Sequence, residues 1–303
     1  MSASADRLPA TASAAARLRL GFALTFCCAF AYATLPSLAR LAYDGGADPM
    51  TVTVFRAGSA ALLYVTACLA RHLPLMPPRG LRLPAAAVGL VWLIGAYCYV
   101  TSIRLIPIGL AVTIFYLFPL IVALVARVAE GERLSPARLL ALALGFAGVA
   151  LAVGVSIGTI APLGIGLALV AAIGLSINIT VNARVMRRAS PLTAMAAMTG
   201  TAALTLLVVA PAVGMALPAT PMGWFGVLAG AGVFCFANTL FYFAISLIGS
   251  VRAAMICNIE PVAATIFAYL ILGEALGPLQ LAGVALVIGA ILLMQTGERA
   301  GRP

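Results

Sequence analysis

Long apolar stretches alternate along the chain with short breaks made of glycine, proline and charged residues. The breaks delimit ten runs, at about 20–41, 50–70, 84–104, 108–129, 137–157, 162–183, 192–213, 222–246, 251–272 and 278–297. A helix needs about 20 mostly apolar residues to cross the hydrocarbon core of a bilayer, so each run is long enough to cross with modest tilt. None shows the period-two alternation of a transmembrane barrel strand. Only structures that close their own backbone hydrogen bonds survive in lipid, which leaves helices. The predicted fold class is an all-α membrane protein of ten transmembrane helices.

Composition sharpens this reading. Of the 303 residues 64% are apolar and only 9% charged, where soluble domains carry about a quarter charged residues. A water-soluble globular domain is excluded. The net charge of +10 would point to nucleic acid in a soluble protein; here it reports orientation, because arginines and lysines mark cytoplasmic loops. All 18 basic residues are arginine. With the N-terminus inside, fifteen of them fall on the cytoplasmic side, Arg40 and Arg104 fall outside, and Arg56 lies within the second run. Both termini, the tails 1–19 and 298–303, are therefore expected in the cytoplasm. Arg17 and Arg19 before the first run imitate a signal peptide, but the run is too long for one and is expected to be retained. Six scattered cysteines and the single His72 support neither a disulfide framework nor a zinc site, and no cofactor is implied.

The sequence also matches itself at a constant offset of 142. Pro49 meets Pro191, Thr51 meets Thr193 and Gly58 meets Gly200. Pro119 then meets Pro261, Gly131-Glu132 meets Gly273-Glu274, Leu134 meets Leu276 and Pro136 meets Pro278. Apolar coincidences are cheap at this composition; aligned prolines and a Gly-Glu pair are not, so the chain reads as an internal duplication of 20–157 by 158–297. Five crossings per copy return the chain on the opposite side, and the second copy is therefore expected upside down. Such inverted repeats surround a central site that rocking exposes to each side in turn.

At these residues the chain resembles the drug/metabolite transporter superfamily, and within it the EamA-type ten-helix exporters. The resemblance spans nearly the whole chain. It rests on Arg56 in the second run, Glu260-Pro261 in the ninth, and Gly273-Glu274-Ala275-Leu276 followed by Gln280 and Gly283. The first half carries a weaker version, Gly131-Glu132-Arg133-Leu134, with Arg138 and Ala141 where the second has Gln280 and Gly283. Within that family the chain is most similar to bacterial exporters of amino acids, including aromatic ones. The resemblance implies a bacterial inner-membrane location and a basket in which the first four helices of each half surround a cavity. The fifth and tenth helices would support it from the periphery.

Candidate site residues are those that break the apolar pattern at membrane depth, where polar groups are costly. Arg56 is either a fixed charge for a substrate carboxylate near the outer mouth or a bridge to backbone carbonyls. Glu260 is a proton-coupling acid, a partner for an amine, or a group helping to satisfy the Cys257 carbonyl, which Pro261 leaves without its helical donor. Trp92, Ala96 and Tyr99 share one face of the third helix, and the offset carries them to Phe234, Asn238 and Phe241 in the eighth. This is a packing surface or an aromatic lining for a substrate. Tyr97 and Tyr242 lie on neighbouring faces. Tyr116 and its mate Asn258 are mid-span polar groups in equivalent places. Tyr32 and Asn178 are candidates in the first and sixth helices, whereas Thr34 and Ser176 read as hydroxyls bonded to the preceding turn. Pro119 and Pro261 are candidate hinges because the repeat pairs them.

These features point to a secondary transporter exporting small amphipathic metabolites, most of all aromatic and other neutral amino acids, by facilitated diffusion or proton exchange. The alternative within the fold is a multidrug or sugar-nucleotide transporter; a nucleotide calls for several cavity arginines, and only Arg56 is placed for that. An intramembrane enzyme needs a nucleophile–base pair or a metal cluster within the spans, which the sequence lacks. The expected partners are a small solute and the lipid bilayer, with no nucleic acid, a monomer as the default state and a dimer through the small-residue faces of the fifth and tenth helices as the alternative.

Overall fold

Runs of apolar residues bounded by proline and glycine fold here as helices. The computed structural model describes residues 10–118, 120–121, 136–154, 161–186, 188–248, 256–257, 259–274 and 276–300. Among the described residues every regular element is helical: α1 (Ala10–Asp44), α2 (Pro49–Ala70), α3 (Arg79–Leu105), α4 (Ile108–Phe115), α5 (Pro136–Gly154), α6 (Pro162–Met186), α7 (Pro191–Val213), α8 (Pro221–Ile248), α9 (Glu260–Leu272) and α10 (Pro278–Ala300). Six of them (α1, α2, α3, α6, α7 and α8) are long and apolar enough to cross a membrane. The apolar pattern starts the first helix near residue 20; α1 instead starts at Ala10, within an alanine-rich stretch of high helix propensity.

Equivalent helices in the two halves begin in the same way. Asp48 caps α2 by accepting the Thr51 amide at 2.8 Å, and Ser190, 142 residues on, caps α7 by accepting the Thr193 amide at 3.1 Å. A proline follows each cap at the first helical position, where its missing N–H costs nothing. The two threonine hydroxyls then reach across. Thr51 donates to the Ala216 carbonyl beyond the end of α7, and Thr193 donates to the Pro74 carbonyl beyond the end of α2, both at 2.8 Å. Positions 74 and 216 are themselves 142 apart. The start of each helix thus meets the end of its counterpart, and α2 and α7 run antiparallel.

The remaining packing is reciprocal in the same sense. α1 lies on α8 and α3 on α6, while α5 pairs with α10 and α4 with α9. Helices in lipid associate through close van der Waals contact rather than hydrophobic expulsion, which favours small residues at the seams. Gly226 of α8 is pressed against the α1 backbone: a Cβ there would come 2.6 Å from both the Leu38 carbonyl and the Ala42 nitrogen. Gly148 of α5 faces the Gly283 carbonyl of α10, where a Cβ would sit 2.8 Å away. A cluster of Ile103, Ile108, Ile114, Leu117 and Leu120 with Ala168, Ala264 and Val287 joins α3, α4, α6, α9 and α10.

The fourth and ninth runs, expected as continuous helices, are interrupted. α4 stops at Phe115 with Tyr116 and Leu117 in a turn, and α9 starts only at Glu260 after a turn at Ile259. The two breaks are equivalent by the offset. Pro261 supplies the cause on one side, since it has no N–H to continue the ladder; Pro119, which would do the same for the fourth run, lies outside the described residues. Pro36, by contrast, sits within an unbroken α1.

At the end of the bundle that carries the α3–α4 connection, two side chains hold that loop. Arg40, counted from sequence with an outer loop, sits in the last turns of α1 and donates through Nη2 to the Ile106 carbonyl at 3.0 Å. The Glu274 carboxylate accepts the Ile108 amide at the start of α4. Burial pushes the Glu274 carboxyl above its ordinary value, and that amide and the Arg40 guanidinium oppose the shift.

Candidate functional site

A helical period of 3.6 puts residues i, i+4 and i+7 on one face. On α3 these are Trp92, Ala96 and Tyr99, and on α8 they are Phe234, Asn238 and Phe241. All six line one cavity of about 300 Å³ in the middle of the bundle, level with the two helix breaks. Eight aromatic side chains are set into its largely apolar wall. Trp92 and Phe234 meet with ring centroids 5.9 Å apart, Tyr99 and Phe115 at 4.4 Å, and Tyr116 and Phe118 at 5.6 Å. These are contact distances for interacting rings.

Polar atoms are few and spaced around this wall. Tyr32 donates its phenol to Asn238 Oδ1 at 2.6 Å, tying α1 to α8. Asn178 donates to the Met198 sulfur at 3.3 Å, a weak acceptor that leaves the amide capacity for more. Arg56 of α2 is 9% exposed and donates through Nη2 to the Leu35 carbonyl of α1 at 3.0 Å. Its Nε is buried and has no partner among the described residues. Arg56 therefore bridges two helices and still offers a donor. Glu260 lines the same cavity from the first turn of α9, with its Oε2 2.6 Å from the Tyr116 hydroxyl. The same hydroxyl is 3.1 Å from the Cys257 carbonyl, so the group that reaches the carbonyl orphaned by Pro261 is Tyr116, not Glu260.

Nine residues singled out from sequence line the cavity: Tyr32, Arg56, Trp92, Tyr99, Tyr116, Asn178, Phe234, Asn238 and Glu260. Tyr97 does not. One residue past Ala96 it points roughly 100° away and packs with Met50, Ala57, Leu93 and Ala202 between α2, α3 and α7. Asn258 and Pro119 lie outside the described residues, as does the side chain of Tyr242. Thr34 and Ser176 bond carbonyls of their own turns, Ala31 at 2.8 Å and Ala172 at 2.7 Å, with Ser176 also reaching the Phe118 carbonyl.

Sequence reasoning missed Phe115, Phe118 and Met198 as lining groups. The offset carries the signal that finds them. Seven lining pairs stand 142 apart: Pro36 and Asn178, Arg56 and Met198, Trp92 and Phe234, Ala96 and Asn238, Tyr99 and Phe241, Phe115 and Cys257, and Phe118 and Glu260. Both halves build the cavity from the same positions, with the charged member of each mixed pair on one side only.

A helical bundle of membrane-crossing length, with an aromatic cavity and isolated charged groups at mid-depth, is the architecture of a multi-pass membrane transporter for small solutes. The chain belongs to the EamA-like transporter family, whose model matches it twice, over residues 19–154 and 162–296. A solved structure described only as "Crystal structure of protein" shares the fold, with a TM-score of 0.61 at 20% identity over 93% of this chain and 99% of that one. No curated protein matches the chain.

Proposed function

We propose that this protein exports zwitterionic aromatic and other neutral amino acids across a bacterial inner membrane by alternating access. The observation that carries the reading is that one guanidinium, Arg56 of α2, and one carboxyl group, Glu260 of α9, line a single cavity with aromatic rings. In this reading a carboxylate finds the donors of Arg56, an ammonium finds Glu260, and a side-chain ring lies among Trp92, Tyr99, Phe115 and Phe234. A volume of about 300 Å³ is at the small end of ligand sites. It suits a single amino acid better than a sugar nucleotide, whose diphosphate would call for more than one guanidinium.

The reciprocal packing and the antiparallel course of α2 and α7 support ten spans arranged as two inverted five-helix repeats, with both termini in the cytoplasm. Rocking of one repeat against the other about the broken α4 and α9 would then open the cavity to each side in turn. The α3–α4 loop, held by Arg40 and Glu274, belongs to the outer face in this arrangement. No step calls for a catalytic group, and the protein acts as a monomer.

The experiment is flux of labelled phenylalanine, tryptophan and leucine into proteoliposomes of the purified protein, against empty vesicles. Saturable uptake of the aromatic amino acids, each competing with the other, is the expected result. Absence of protein-dependent flux for every amino acid would overturn the substrate assignment.

A further inference from the structure

The Tyr116 hydroxyl stands between two acceptors and owns one proton. It is 2.6 Å from Glu260 Oε2 and 3.1 Å from the carbonyl of Cys257. That carbonyl is short of a donor because Pro261, four residues on, has no N–H. An ionised carboxylate only accepts, whereas a protonated one also donates. With Glu260 ionised, the phenol must choose: if it serves the carboxylate, the Cys257 carbonyl loses the one side-chain donor it has among the described residues. With Glu260 protonated, the acid donates to the Tyr116 oxygen, Tyr116 donates to Cys257, and the chain of hydrogen bonds closes. A buried acceptor without a donor is costly, so the closed chain needs a proton on Glu260.

We propose that Glu260 and Tyr116 form a proton-binding site at the junction of the two broken helices, and that a bound proton and the ammonium of a solute exclude one another there. This deepens the amino-acid reading above and rests on it for the identity of the solute. When an ammonium enters, the carboxyl proton leaves to cavity water, the carboxylate accepts an N–H of the solute, and the phenol proton turns from Cys257 towards Glu260. When the solute departs, a proton returns and the α4–α9 tie re-forms. Tyr116 acts as a positioning residue, because its donor links the state of Glu260 to the backbone of the ninth run. Among the described residues, the titratable or charged groups around Glu260 are Tyr116 of the turn after α4, Tyr99 of α3, Cys28 of α1 and Cys257 of its own run, with Arg56 of α2 in the same cavity. Among them Arg56 alone holds a permanent charge; with solute bound it faces the solute carboxylate, and the solute ammonium balances Glu260 once the proton has left.

The test uses the full chain in detergent, with two readouts. Infrared difference spectra between acid and alkaline samples without solute should show the stretch of a protonated carboxyl that is lost in Glu260→Gln and displaced in frequency in Tyr116→Phe. In weakly buffered solution with a pH dye, L-phenylalanine should release about one proton per molecule bound. 3-Phenylpropionate, which lacks the amine, should release none, and Glu260→Gln should release none on binding phenylalanine. A spectrum without a Glu260 carboxyl band, or phenylalanine binding without proton release, overturns the proposal. If phenylalanine does not bind at all, the substrate reading fails while the infrared band still decides whether Glu260 and Tyr116 hold a proton.

Discussion

Arg56 spends one N–H on the Leu35 carbonyl and keeps a buried Nε without a described partner. That division of labour predicts a specific loss. In Arg56→Lys the ammonium can keep the tie to α1 but has no planar fork to present a second donor. Binding of phenylalanine should weaken roughly 10- to 100-fold, the worth of one hydrogen bond to a charged group, while binding of phenethylamine, which lacks the carboxylate, stays within about twofold. Equal losses for both ligands would assign Arg56 to packing alone. At this scale the legible residues were those that lipid would reject. Tyr99, Asn238 and Glu260 stand out in apolar runs because a polar atom at membrane depth needs a reason. Phe115 and Phe118 did not stand out, because phenylalanine facing lipid and phenylalanine facing a cavity are chemically alike. Tyr97 stood out for the same reason as Tyr99 and belongs to a helix seam.

Among the elements, the seams are set by where a side chain would not fit. Gly226 and Gly232 are both in α8, one turn and a half apart, and they differ only in what lies opposite. A Cβ at Gly226 would collide with the α1 backbone, whereas nothing lies within 4 Å of one at Gly232. Gly226→Ala should therefore destabilise the bundle by about 1–3 kcal/mol through overpacking. Gly232→Ala should be neutral or stabilising by up to about 1 kcal/mol through helix propensity. Thermal unfolding of the two variants in detergent checks this, and matching effects would show that α1 and α8 are not in such contact. The existence of the helices was legible from run length, whereas the interruptions were not: the paired prolines read as hinges within continuous helices. The breaks themselves fall at Tyr116–Leu117 and Ile259, ahead of the prolines, because proline withdraws a hydrogen bond from the residue four earlier. That displacement is what carries Tyr116 to Cys257 and Glu260, and no single run shows it.

For the whole molecule, the offset of 142 was visible as matched prolines and a matched Gly-Glu pair. Which helix lies against which was not, since apolar faces that pack in lipid all look alike. The crossed bonds of Thr51 to Ala216 and Thr193 to Pro74 place the loops after α2 and α7 at opposite ends of the molecule. In a background without native cysteines, His72→Cys should react with a membrane-impermeant maleimide only from the cytoplasmic side, and Ala216→Cys only from outside. Reaction of both in intact cells would be incompatible with an inverted arrangement.

The exchange of partners between the halves also bears on how the protein is made. α1 packs chiefly on α8 and α3 on α6, so α3 finds its chief neighbour only once the second half begins to leave the ribosome, and α1 only once α8 has followed. Until then, the glycine-lined seams of the early helices must wait among lipids, and contacts between distant parts of a chain form late. A nascent chain stalled before α8 would carry an unmated α1, the kind of orphan that membrane quality control removes. The first repeat therefore cannot complete its packing before α6, α7 and α8 of the second have been made.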